Sequence, residues 1–70
     1  MSHIHAVLFD KDIWNLSESM KWLILHNIHP IKEPRETLHF YRYRIIDPSI
    51  FRYFITKKLD GGIELVIGFY

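Results

Sequence analysis

Five histidines are the residues of this chain whose chemistry most readily suggests a metal. His3 and His5 fall on one side of an extended segment, and His26 and His29 flank the end of a helical one. Zinc-type sites gather three or four converging ligands, usually with cysteine or carboxylate help. This chain has no cysteine and no histidine pair at the i,i+4 spacing of a metal-binding helix. The histidines are therefore expected to be solvated or packed, with no metal site and no cofactor. Ser17 and Ser19 stand at a helix start, where capping or surface exposure accounts for them. Gly61 and Gly62 follow Asp60 in a turn, not in a phosphate-cradling loop. No residue is assigned a catalytic role, and the chain is expected not to be an enzyme, since so short a chain leaves little room for a water-excluding pocket.

A second group carries binding chemistry. Arg42, Arg44, Arg52 and Lys58 share strand parity with Phe40 and Phe54. Cations interleaved with aromatic rings are what single-stranded nucleic acid stacks on and pairs its phosphates with. The plainer reading is a solvated sheet face balanced by Glu64. A net charge of +1 gives no strong electrostatic footprint for nucleic acid. Trp22 lies about 100° or more around the helical wheel from the expected core stripe. It is expected to pack on the Ile28 to Pro34 loop; exposed, it would mark a protein interface. Trp14 reads as a packing anchor at the helix entry.

These residues need elements to hold them. Ile4 to Phe9 is an apolar run with both parities filled, which suits an interior strand. Asn15 can cap a helix, with Glu18 three residues on completing a capping box. Leu16, Met20, Leu23 and Asn27, with Ile24 beside them, form the stripe expected against a sheet, while Ser17, Lys21 and Leu25 point away. Asn27 suits the left-handed position that ends a helix, and Pro30 follows. Ile28 to Glu36 reads as a loop. Strands are expected over Thr37 to Ile46, Phe51 to Leu59 and Ile63 to Phe69, with a turn at Asp47-Pro48-Ser49 and a tight hairpin at Asp60-Gly61-Gly62. The expected fold is α+β, in the order β-α-β-β-β. One helix packs on one face of a mainly antiparallel four-stranded sheet with a C-terminal hairpin. Tyr41, Tyr43, Tyr53, Ile55, Leu65 and Ile67 should meet the helix. Arg42, Arg44, Arg52, Thr56, Lys58 and Glu64 should face the other way.

Composition bounds the rest. Seventy residues make one domain, spanning 1–70. About half the residues are apolar, which argues against disorder. A domain this small, without disulfides, has a net stability of roughly 3–5 kcal/mol or less and is often helped by oligomerisation. Charge is uneven: from Arg35 onward six cations (Arg35, Arg42, Arg44, Arg52, Lys57, Lys58) stand against four acids. No signal-peptide pattern opens the chain, so it is not expected to be secreted. No stretch approaches the ~20 apolar residues of a membrane span, so no membrane partner is expected.

The chain also resembles a small domain of large nucleocytoplasmic DNA viruses and tailed phages. The pattern runs through Ala6-Val7-Leu8-Phe9, Trp14, Lys21-Trp22-Leu23, His26 and Pro30-Ile31-Lys32. Glu36-Thr37 and then Phe40-Tyr41-Arg42-Tyr43-Arg44 are its most distinctive part, before Asp47-Pro48, Thr56-Lys57 and Gly62-Ile63 through Ile67-Gly68-Phe69. Asn27 departs from it, standing where glycine is expected. The resemblance implies a non-catalytic module of the virion or host cytoplasm. Such a module would act through contacts with viral or host protein or with itself, in a virion or replication assembly. Nucleic-acid binding on the Arg42, Arg44, Arg52 and Lys58 face is the alternative.

Overall fold

Strand pairing places the apolar N-terminal run at the centre of the molecule. The structure, a computed structural model, describes residues 1–70. Its elements are β1 (Ser2–Asp10), α1 (Leu16–Leu25), β2 (Arg35–Glu36), β3 (Phe40–Arg44), a 3-10 turn at Pro48–Ile50, β4 (Tyr53–Leu59) and β5 (Ile63–Phe69). They form an α+β fold with one five-stranded sheet in the order β2-β3-β1-β5-β4, all neighbours antiparallel. β1 is the interior strand its double parity predicts. The strand count is five, not four: Arg35 and Glu36, read as loop from sequence, pair with Arg42 and Tyr41. Two residues are too few to carry a period-2 signal. The expected Thr37 to Ile46 strand shortens to Phe40–Arg44 because Thr37 turns the chain. Its N–H donates to the Phe40 carbonyl at 2.9 Å, and its hydroxyl accepts the Phe40 N–H at 3.1 Å. β4 starts at Tyr53 instead of Phe51, because the Asp47-capped 3-10 turn and a bend at Arg52 precede it.

The helix is bounded as its sequence demands. The Asn15 side chain accepts the Glu18 N–H at 2.8 Å, although Glu18 returns no bond to complete the box. Asn27 takes φ 56°. Ile28 N–H reaches the Leu23 carbonyl and Asn27 N–H the Ile24 carbonyl, which is the Schellman ending. Ile28 also packs on the core cluster that contains Leu23. At the other end of the molecule Gly61 (φ 84°) and Gly62 (φ 77°) close the β4–β5 hairpin. Trp14 ties that turn to the helix entry: its indole N–H donates to the Gly61 carbonyl at 2.6 Å, and its ring meets Phe9 edge-on.

The helix is rotated from the expected stripe. Leu23 is buried as expected, but Met20 and Ile24 are 51% and 68% exposed and Leu16 is exposed too. The inward edge is Ser19, Trp22 and Leu23. Trp22 packs edge-on against Phe9 and stacks on His26, not on the Ile28 to Pro34 loop. Ser19, expected at the surface, is fully buried: its hydroxyl bonds the Leu16 carbonyl at 2.8 Å and the Tyr43 hydroxyl at 2.6 Å. A Ser19–Tyr43 bond at the centre of the helix–sheet contact turns the small polar residue inward and its apolar neighbours outward. Val7, Phe9, Leu23, Tyr43 and Ile63 complete the core. Each such side chain contributes about 1.5–3 kcal/mol of burial, against a large entropy cost.

Replacing Ser19 by Ala leaves the buried Tyr43 hydroxyl unpaired and should cost about 1–3 kcal/mol in urea unfolding. Tyr43→Phe should cost less, since Ser19 keeps its bond to Leu16. The double variant should be more stable than Ser19→Ala alone; equal or lower stability would refute the buried bond.

Candidate functional site

The open face of the sheet gathers part of the predicted basic and aromatic set and separates the rest. Register places Arg42, Leu8, Glu64 and Lys58 in one row across the sheet, and Arg44, Ala6, Val66 and Thr56 in the next. Arg42 and Arg44 on β3 are three strand spacings from Lys58 on β4, about 14 Å. Glu64 stands between them, directly opposite Lys58. Arg52 lies in the bend before β4, where its N–H donates to the Phe69 carbonyl at 2.7 Å. Phe40 and Phe54 sit at opposite ends of the sheet, beside Asp10 and Gly68 respectively. Thus the six predicted surface residues do not form one site.

What the fold brings together instead is a cleft at the β2–β3 side. Lys32, Arg35, Arg42 and Arg44, with Glu33 and Pro34, line a depression of about 210 Å³. Arg35 stands directly opposite Arg42, a like-charge pairing that destabilises a sheet. Neither arginine forms a salt bridge: the molecule's one salt bridge joins Lys11 to Glu36 at 3.5 Å. Beyond the cleft, Asp47 accepts the Ser49 N–H at 2.9 Å. That bond, then the Ser49 side chain, then Arg44 and Lys32 hold the Asp47 carboxyl below its ordinary value. Its contribution is therefore present above the unfolded carboxylate range and is lost as pH falls through the lowered folded value. Arg35 and Lys32 carried no period-2 pattern and were not singled out in sequence. Their position depends on the short β2.

A bulge between Ile4 and Ala6 shapes the other end of this face. It turns His5 onto the open side, buried among Phe51 and Phe54. His5 Nδ1 lies 2.6 Å from the Ile46 carbonyl and its Nε2 3.4 Å from Arg42. These partners make Nδ1 the donor and leave Nε2 to accept. Phe51 lies flat over Gly68, where a Cβ would run into its ring. A glycine inside a strand is the sequence signal for such a close approach. The remaining histidines are dispersed: His3 meets Tyr70, His26 stacks on Trp22, and His29 bonds Asn27.

On the helix side, two apolar surfaces stay open. Met20, Ile24, Ile28, Ile31 and Pro34 line a groove of about 420 Å³ between α1 and the following loop. Trp22 contributes only its outer edge, to a shallow hollow with Trp14, Glu18 and Leu25. The larger departure from expectation is at β4. Tyr53 and Ile55, expected beneath the helix, are 56% and 48% exposed. α1 meets Phe9 on β1 and Tyr43 on β3, and the core it closes takes in Ile63 on β5 but leaves the Tyr53–Ile55 end of β4 exposed. There Tyr53 stacks on Phe69 at 4.8 Å, next to Ile55 and its cross-strand partner Ile67.

The two sheet edges differ. Beyond β3 the edge is taken by β2 and by Ile31, whose N–H donates to the Arg44 carbonyl at 2.9 Å. β4 pairs only with β5, and its outer side is bare over seven residues. No protein-family model, curated protein or solved structure matches the chain. No helix is long and apolar enough to cross a membrane.

Replacing Arg35 by Glu converts the Arg35–Arg42 clash into an attraction. It should raise stability by about 0.2–1 kcal/mol at low salt, shrinking as salt is added. A salt-independent loss in thermal unfolding would show that the clash is already neutralised.

Proposed function

We propose that this chain is a non-catalytic interaction module that works through protein–protein contacts. Its setting would be a virion or replication assembly of a large DNA virus or tailed phage, in the host cytoplasm or the particle. The viral setting rests on the residue pattern from Ala6 to Phe69. The contact reading rests on β4, an edge strand exposed along its length with Tyr53 and Ile55 uncovered beside it. Soluble domains usually blunt such an edge or cover it, and a bare one is a template for another strand. Lys57 and Lys58 blunt only one end of it.

The basic cleft favours a second reading, a module for nucleic acid or another phosphate-bearing polymer. Arg35, Arg42 and Arg44 outnumber Glu33, the one carboxylate lining the cleft, and form no salt bridge, which favours a phosphate contact. Lys58, Arg52 and the separated rings Phe40 and Phe54 fall outside that cleft, so the stacking surface expected from sequence loses its continuity.

A photo-crosslinking residue at Tyr53, with one at Ser17 as the exposed helix control, separates the two readings in the cell that makes the protein. Protein adducts specific to position 53 are expected. Absence of any adduct there, together with salt-dependent binding of oligonucleotides that Arg42→Ala weakens about tenfold, would replace the first reading by the second.

A further inference from the structure

β4 ends the sheet with one row of backbone groups unpaired, and the ladder identifies them. Asp10 N–H donates to the Gly62 carbonyl at 2.8 Å. Gly62, Glu64 and Val66 are therefore the residues whose backbone groups turn toward β1. Ile63, Leu65 and Ile67 turn the other way and bond their register partners Leu59, Lys57 and Ile55. The groups left pointing outward are the N–H and C=O of Phe54, Thr56 and Lys58. They are spaced evenly about Thr56.

We propose that a second copy of this chain occupies this edge, its β4 antiparallel to the first about a two-fold axis at Thr56, so that the two sheets become one. The inference rests on the reading of β4 as a protein-contact edge and names the partner.

Charge and the number of residues paired select the register. An axis at Thr56 sets Phe54 against the second copy's Lys58, Ile55 against its Lys57 and Tyr53 against its Leu59. No cation faces a cation within the paired strands. All seven residues of β4 are paired. An axis at Ile55 carries Lys58 and Leu59 past the end of the facing strand, and an axis at Lys57 or Lys58 sets that lysine against its own copy. Like charges directly opposite destabilise a strand pair. An axis at Phe54 carries Thr56, Lys57, Lys58 and Leu59 past the end of the facing strand. The two lysines that would blunt this edge against other strands thus permit the Thr56 register with itself.

The side chains fit on both faces. On the open face the second copy's Lys58 ammonium comes beside the Phe54 ring, a cation–π arrangement. On the helix side, where α1 stops short, the second copy's Leu59 and the stem of its Lys57 come over Tyr53 and Ile55. An edge pairing of this length buries less than the ~800 Å² per partner of a standard stable interface, so association should depend on concentration.

Sedimentation equilibrium of the full chain over a wide concentration range tests this. The weight-average mass should rise from 8.5 kDa toward twice that value. Thr56→Pro removes an outward N–H and no bond within the sheet, so the monomer should keep its circular dichroism spectrum and stay at single-chain mass throughout. Ile55→Lys, which sets a lysine against the second copy's Lys57, should weaken association about threefold or more, and adding Lys57→Glu should restore it. A wild-type chain that stays monomeric, a dimer that Thr56→Pro leaves intact, or a charge swap that restores nothing would overturn the proposal. Position 53 adducts to a different protein from a monomeric chain would end the self-pairing and leave the contact edge standing. A monomer without any such adduct would end both.

Discussion

The contact of Ser19, Trp22 and Leu23 with Phe9 and Tyr43 fixes where the only helix sits. Most of the molecule's surface character follows from that position. A ten-residue helix is about 15 Å long and about 10 Å across, and five strands span about 19 Å from first to last. Anchored on β1 and β3, α1 cannot also cover the Tyr53–Ile55 end of β4. Ile63, Leu59 and Leu65 join the core at the hairpin end, but Tyr53 and Ile55, laid down by the same alternation, stay exposed. Rotation about the Ser19–Tyr43 bond has a matching effect on the helix, leaving Met20 and Ile24 on its outer side.

The two sheet edges divide the possible functions. One is closed by β2 and Ile31, and closing it collects Arg35, Arg42, Arg44 and Lys32 into a cleft where Glu33 is the one acid and no salt bridge forms. The other is bare, and its outward backbone groups are symmetric about Thr56. The first arrangement suits an anion and the second suits a strand. A domain with few residues in its core and no disulfide has little stability to spare. Pairing along β4 would bury apolar surface that the single chain leaves in water.

Much of the fold was legible in the chain. The β-α start, the Asn15 and Asn27 caps, the hairpin at Asp60-Gly61-Gly62 and the two faces of the sheet all rest on local rules of period, capping and turn chemistry, and they hold in three dimensions. The site was less legible, for identifiable reasons. Parity assigns Arg42, Arg44 and Lys58 to one face but says nothing of strand order, and the order β2-β3-β1-β5-β4 places them far apart. Arg52 lost its parity to the bend that sets Phe51 onto Gly68. Trp22 was placed by a stripe drawn through Met20 and Ile24. A buried serine at Ser19 cannot be read from a hydrophobic pattern, because its partner, the Tyr43 hydroxyl, is distant in sequence.

The central claim is that the outer edge of β4 is a strand-pairing surface used by a second copy. Amide hydrogen exchange at individual β4 residues reads it most directly. In dilute solution Phe54, Thr56 and Lys58 should exchange freely while Ile55 and Lys57 are protected by β5. As concentration rises, exchange at Phe54, Thr56 and Lys58 should slow together. Free exchange at those three amides at every concentration would contradict the account.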